Sequence, residues 1–179
     1  MAKSGYHHGD LRTAMLTAAA EQIAADGIDA ISLRGLARRA GVSHAAPAHH
    51  FGDRAGLLTA LAIEGHHLLG AELDSAGPDF RDVAVAYVRF ALNHPAHFDV
   101  MFRRDLLHAD NPELRAARTR SGAALRADGR KRATQLAAWS LVHGFAALWR
   151  EGALTDSTLA DSTDPEELAR TMLATVQFD

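Results

Sequence analysis

The sequence predicts an all-α protein of about nine helices. Hydrophobic residues make up 47% of its 179 positions and alanine is abundant. That composition favours helix, because Ala loses no side-chain entropy on entering one. Apolar residues also recur three and four positions apart along most of the chain, the period of one helix face. The breaks between these stretches fall at Gly, Pro and capping residues, which stop and start helices.

The first helix is expected over Asp10 to Asp26, with Leu11, Met15, Ala18, Ala19 and Ile23 as its inward stripe. Asp10 suits the helix start, where the dipole favours an acid. Gly27 stops it, and Ile28 and Ile31 plug the core. Met1 to His8 reads as a loose arm.

The next stretch, SLRGLARRAGVSHAAPAHHF from Ser32 to Phe51, carries the most information. Leu33, Leu36, Ala37 and Ala40 form one apolar face of a second helix capped by Ser32, with Arg34, Arg38 and Arg39 off that face. Gly41 sits where a helix end needs left-handed backbone angles. Val42 turns inward and Ser43 is expected to cap a third helix, His44 to His50. Pro47 would then be its fourth residue and remove its first internal hydrogen bond. Helix, Gly-containing turn and helix make a helix-turn-helix, whose second helix enters the DNA major groove. An ordinary helical hairpin gives the same pattern.

Asp53 caps a fourth helix to about Asp74, with a wide apolar zone, and SAGPD (Ser75 to Asp79) is a loop. A fifth helix, Asp79 to Asn93, is apolar on most sides and therefore buried. His94-Pro95 breaks it, since a residue before proline avoids helical angles. A short sixth helix covers Ala96 to Arg103, and a seventh Glu113 to Ala127. The eighth, Ala133 to Glu151, is apolar nearly all round. Boundaries between Arg120 and Thr134 are the least defined. Asp164-Pro165-Glu166-Glu167 opens a ninth helix with a cap, a proline at its first position and acids in its first turn.

There is no cysteine, which excludes a disulfide framework and thiolate chemistry. No apolar run is long enough for a bilayer and the N-terminus lacks a signal-peptide pattern, so a cytoplasmic protein without membrane contact is expected. Net charge is −3, which argues against a general nucleic-acid coat but not against a specific reader. Arg34, Arg38, Arg39 and Arg54 cluster, and His7, His8, His49 and His50 add conditional positive charge near them. No phosphate loop, nucleophile elbow or acid–base pair is present, so neither an enzyme nor a cofactor is expected. The spacing of His94 and His97 gives a weak metal pair, and no metal site is assigned. The alternative of another class is a small helical lyase or hydratase using His94, His97 and His143.

From Gly9 to Leu61 the chain closely resembles the N-terminal domain of the TetR/AcrR family of transcriptional regulators. The features that carry this are the Leu-Ala pair, Gly-Val-Ser in the turn, His50-Phe51 closing the third helix and Asp53-Arg54 opening the fourth. AWSLVHGFAAL, Ala138 to Leu148, is similar to a Trp-His-Gly signature in one branch of that family. The resemblance implies a helix-turn-helix domain over residues 1–54 and a helical ligand-binding and dimerisation domain over 55–179. It also implies a homodimeric repressor of a palindromic double-stranded DNA operator, released by a small-molecule effector.

On this basis the phosphate-contacting set is Arg34, Ser43, His49, His50 and Arg54, with Lys3 of the arm a further candidate. The base-reading set is His44, Ala45, Ala46 and Ala48, where alanines can touch only apolar features such as a thymine methyl. Ala48 departs from the family, which commonly has an aromatic residue there, and so leaves the operator preference open. Arg38 and Arg39 read better as a solvated face. The implied pocket lies between the fifth to eighth helices, with Tyr87, Phe90, His94, Phe98, Met101, Phe102, Trp139, His143 and Trp149 as lining candidates. Such walls suit a small apolar or aromatic ligand. Effector binding would shift the fourth helix and change the separation of the reading heads, and the eighth and ninth helices would form the dimer interface.

Overall fold

The computed structural model describes residues 8–124, 131–154 and 164–177. Among these the chain forms nine α-helices, two 3-10 turns and no strand, as the all-α expectation requires. The helices are α1 (His8–Asp26), α2 (Leu33–Arg39), α3 (Ala45–Phe51), α4 (Arg54–Ser75), α5 (Phe80–Asn93), α6 (Pro95–Met101), α7 (Pro112–Ala124), α8 (Arg132–Arg150) and α9 (Pro165–Ala174). The 3-10 turns are Ile28–Ala30 and Arg104–Leu106. No helix among the described residues is long and apolar enough to cross a membrane. The arm, the 125–130 link and most of the loop before α9 lie outside the described residues.

The helices group into two compact units. The first comprises Met1–Glu64 and Ala96–Arg115, the second Gly65–Pro95 and Ala116–Asp179. Helices α4 and α7 each contribute residues to both.

In the first unit, α1 packs on α2 and α2 on α3. Met15, Leu16, Ala19 and Ile23 of α1 are buried, as are Leu36 and Ala37 of α2. Ser32 caps α2 as expected, its Oγ accepting from Gly35 N–H at 3.1 Å. The end of α2 is a Schellman turn. Val42 N–H donates to Ala37 O at 3.0 Å and Gly41 N–H to Arg38 O at 3.3 Å. Gly41 has φ +65, so this turn needs glycine.

Two expectations for α3 are corrected. Ser43 does not cap it: the cap position is His44, which makes no side-chain cap bond, and Ser43 instead accepts from Ala46 N–H through its carbonyl at 3.0 Å. The later start makes Pro47 the third helical residue rather than the fourth. The first turn of a helix leaves its N–H groups without internal partners, so Pro47 removes no hydrogen bond. It is buried with Phe51, four residues on.

Asp53 caps α4 as expected, with Gly56 N–H donating to its Oδ1 at 2.7 Å. Gly56 has a second role. A Cβ there would collide with the backbone carbonyl of Phe51, so the corner between α3 and α4 closes only on glycine. The sixth helix ends two residues before its expected limit and gives way to the 3-10 turn, and it begins on Pro95, which suits a first turn.

In the second unit α5 packs against both α8 and α9, which also touch each other. Eight of its fourteen residues are buried, from Val83 to Ala91, which matches its apolar circumference. Arg89 of α5 donates Nε and Nη2 to the two oxygens of Glu166 at 2.9 and 2.6 Å, and Nη1 to Glu72 of α4 at 3.4 Å. Asp164 caps α9 as its sequence announced, accepting from the N–H groups of Glu166 and Glu167. His66 of α4 is buried and its Nδ1 lies 2.9 Å from Ser121 Oγ on α7. Burial, with Arg118 and His67 nearby, lowers its pKa to about 4.

Two outcomes follow from these packings. Gly56→Ala should lower stability by about 1–3 kcal/mol, the usual range for forcing an atom into a filled site; urea unfolding would measure it. His66 has a folded-state pKa below its unfolded value of 6.5. Between pH 6.5 and 4 the unfolded chain therefore binds a proton that the folded chain does not, and stability falls as pH falls. His66→Phe should abolish roughly 3 kcal/mol of that loss, read as the difference between wild-type and variant urea midpoints at the two pH values.

Candidate DNA-binding face and effector residues

Helix α3 presents two distinct sides. Pro47 and Phe51 are buried, Ala46 and His50 are half-buried, and His44, Ala45, Ala48 and His49 are exposed. The buried pair braces the helix from behind, and the four exposed residues form a continuous outward strip at its start and middle. Ser43 is also exposed in the preceding turn. Arg34 and Arg38 of α2 are exposed, and Arg39 stands 3.7 Å from Asp26, a solvated pair. The arginines therefore lie on the outside of the same unit as the strip, where their charge is available to an anionic partner.

Arg54 has a role its position in the sequence did not reveal. Its Nε donates to Ile31 O at 3.1 Å and its Nη2 to Ile28 O at 2.7 Å, with Asp29 3.8 Å away. The guanidinium thus ties the first turn of α4 to the 3-10 turn after α1. The acceptors are backbone carbonyls, which carry no sequence mark. Asp53, beside it, accepts from Gly56 N–H and lies 3.0 Å from His108 Nε2. The Gly56 bond first, then His108, holds its carboxyl below the usual range. His108 N–H also donates to Thr59 Oγ1 at 2.9 Å. The segment after α6 is in this way fastened to the first two turns of α4, a link with no local signal in the residues around His108.

The nine effector candidates divide between the units. Tyr87, Phe90, His94, Trp139, His143 and Trp149 belong to the second, and Phe98, Met101 and Phe102 to the first. Tyr87, Phe90, Phe98 and Met101 are buried; the other five are half-buried. Three of them form a hydrogen-bonded group in the second unit. Trp139 Nε1–H donates to the Tyr87 hydroxyl at 3.3 Å, and that hydroxyl lies 2.8 Å from His143 Nδ1. Burial lowers the His143 pKa and raises that of Tyr87, so both are neutral near pH 7. The rings of Trp139 and His143 lie 5.5 Å apart. Phe90 and His94 lie 5.2 Å apart. In the first unit, Phe98 and Phe102 meet edge to face at 5.4 Å and His97 Nε2 lies 3.1 Å from Glu64.

A compact helix-turn-helix unit with its second helix turned outward defines a DNA-binding regulator. Residues 15–61 match the family model described as Bacterial regulatory proteins, tetR family. Residues 80–176, more than half of the chain, match Tetracyclin repressor-like, C-terminal domain. The chain belongs to the tetR family and is a ligand-responsive DNA-binding transcriptional regulator. Among solved structures it is similar to a protein of unknown function from Rhodococcus sp. RHA1, at 33% identity over 97% of this chain and 96% of that one, with a TM-score of 0.74. It is also similar to the TetR family transcriptional regulator PfmR from Thermus thermophilus, at 25% identity over 88% and 93% of the two chains, TM-score 0.67. The regulator LfrR from Mycobacterium smegmatis, solved in complex with proflavine, shares the fold at 20% identity over 93% and 96%, TM-score 0.64. No curated protein matches the chain.

The geometry separates the two arginines. Arg54→Ala should lower stability by about 1.5–3 kcal/mol, the range for hydrogen bonds from a charged donor, visible in thermal unfolding. Arg34→Ala should leave stability unchanged and reduce the salt slope of DNA binding by about 1; an unchanged slope contradicts a phosphate contact. His44→Ala should relax base preference more than total affinity, measured by competition between specific and random duplexes. Equal loss on both would remove His44 from the reading set.

Proposed function

We propose that the protein is a homodimeric repressor that binds a palindromic operator and leaves it when a small apolar or aromatic effector binds. The observation that carries this reading is the outward strip of α3, exposed at His44, Ala45, Ala48 and His49 over a buried Pro47 and Phe51. In this reading residues 1–54 bind DNA and residues 55–179 bind effector and partner. Arg34, Ser43, His49, His50 and Arg54 position the phosphates, and His44 with Ala45, Ala46 and Ala48 meets the bases. The protein works in the cytoplasm, where its operator is.

Dimerisation through α8 and α9 is supported by what α8 leaves uncovered. Leu136 and Leu148 are 58% and 46% exposed, the large hydrophobic side chains most open to water among those described. A second copy packing there would form a four-helix bundle. The effector reading is supported by the largely apolar set around the Tyr87, Trp139 and His143 group, and by a relative of the same fold bound to proflavine. We read the protein as non-enzymatic, because His143 is engaged with Tyr87 and His97 with Glu64, each as a structural pair.

Selection from a random duplex pool tests the function. The expected product is a two-fold symmetric site whose half-sites lie about 34–36 Å apart or a multiple of that. Failure to enrich any sequence, or enrichment of an asymmetric one, would overturn the reading. The double change Leu136→Glu with Leu148→Glu should give a folded monomer in sedimentation that no longer binds the selected site. A dimer at micromolar concentration would remove α8 from the interface.

A further inference from the structure

From Ser32 to Gly52 the chain carries three arginines, three histidines and no carboxylate. The histidines all lie on or beside α3. His44 is its cap residue, and His49 and His50 belong to its last turn. His44 and His49 are exposed, and His50 is half-buried. Arginine carries its charge at every physiological pH, whereas an imidazole gains or loses one within that range. The positive charge of this face therefore has a fixed part and a part that depends on protons.

The charged groups around α3 decide which histidine takes the proton. On α3 itself the rings of His49 and His50 stand edge to face, 5.6 Å apart. From α1, the Arg12 guanidinium lies 5.7 Å from the centre of the Phe51 ring. From α2, Arg34 and Arg38 are exposed, and Arg39 faces Asp26 at 3.7 Å. At the start of α4, Asp53 accepts from Gly56 N–H and stands 3.0 Å from His108, while Arg54 is held by two carbonyls with Asp29 3.8 Å away. The carboxylates Asp26, Asp29 and Asp53 are thus engaged elsewhere. Among the described residues neither His44 nor His49 pairs with a carboxylate. In the free protein no anion among them holds a proton on His49.

A phosphate backbone changes that balance. An opposite charge within about 4–6 Å favours the protonated ring. The last turn of a helix also favours a cation, and the first turn disfavours one, which separates His49 from His44. His50 is half-buried, and burial opposes charge; two charged rings 5.6 Å apart would also repel. The exposed ring of the pair is the one that gains the proton. We infer that DNA binding by this protein is proton-linked: each copy takes up one proton on His49 as phosphate meets α3, so the grip tightens as pH falls. The inference rests on α3 being the DNA-contacting helix. The complex holds more protons than the separate partners, so affinity falls as pH rises through the imidazole range. Acidity then acts on the reading helix itself, independently of any effector.

The test is the affinity of the full-length protein for a random-sequence duplex at low salt, where non-specific binding is strongest, measured at pH 6 and pH 8. Calorimetry in two buffers of different ionisation enthalpy counts the protons taken up. For each bound copy, wild type should bind about fivefold or more tightly at pH 6 than at pH 8, the effect of one nearby opposite charge on an imidazole. His49→Gln should lose most of that ratio, keep the weaker affinity of pH 8, and take up about one proton fewer per copy. His49→Lys fixes the charge and should keep the tighter affinity at both pH values. His67→Gln, a change at an exposed histidine of the second unit, should behave as wild type. Equal pH ratios in wild type and His49→Gln, or a His49→Lys variant no tighter than wild type at pH 8, would overturn the proton linkage alone. No binding to any duplex at either pH would overturn the DNA reading together with it.

Discussion

The exposure of the reading helix depends on the corner where α3 turns into α4. Three constraints meet there within a few residues. Phe51 is buried and anchors the last turn of α3. Its carbonyl oxygen occupies the space where residue 56 would carry a Cβ, so α4 can start at that angle only on glycine. Arg54 then fastens the first turn of α4 to the carbonyls of Ile28 and Ile31. Each constraint is satisfied by groups that face inward. Because they hold α3 from behind, His44, Ala45, Ala48 and His49 need not contribute to the core and remain outside it.

Neutral polar groups do comparable work in the second unit. Tyr87 is fully buried, and its hydroxyl would be costly there without partners. Trp139 and His143 supply them from α8, so the α5–α8 packing is fixed by a polar contact as well as by apolar area. Burial keeps both the phenol and the imidazole uncharged, and a neutral pair avoids the desolvation penalty of a buried ion pair. The charged group, Arg89 with Glu166 and Glu72, lies instead at the partly exposed edge of α5. Polar contacts are thus graded by exposure, neutral inside and ionic outside.

Much of this was legible in the sequence. Caps at Ser32, Asp53 and Asp164 and stops at Gly27, Gly41 and His94-Pro95 set helix limits good to within about two residues, because each is a local backbone requirement. The start of α3 was misread because Ser43 is a good cap by residue type, whereas the cap position falls one residue later on His44, which makes no side-chain cap bond. The outward strip of α3 followed from helical spacing and the resemblance. What stayed hidden were contacts between residues far apart in the chain. Arg54 reaching Ile28, His108 reaching Asp53, and His66 reaching Ser121 leave no periodic trace. Two of the three use backbone groups or a lone hydroxyl as partners. Arg54 illustrates the consequence, since sequence position offered it to phosphate and the fold also commits it to carbonyls.

The composition of the strip carries a consequence for recognition. In the proposed base-reading set, alanine at 45, 46 and 48 leaves His44 as the single side chain able to hydrogen-bond a base edge, with His49 of the same exposed strip assigned to phosphate. Methyl contacts discriminate less sharply than bidentate hydrogen bonds, each of which separates bases by about 1–3 kcal/mol. A single copy so equipped is a weak reader, and the net charge of −3 gives it no broad attraction to compensate. Two copies on one duplex double the discriminating free energy, so the ratio of specific to random binding is squared. Groove spacing can add to this without further base contacts, because only a pair held at the right separation engages both half-sites. With so little polar readout on α3, the proposed dimer would draw its specificity from the distance between its two α3 helices rather than from side chains. In the proposed mechanism, that distance is what the effector would change without touching DNA.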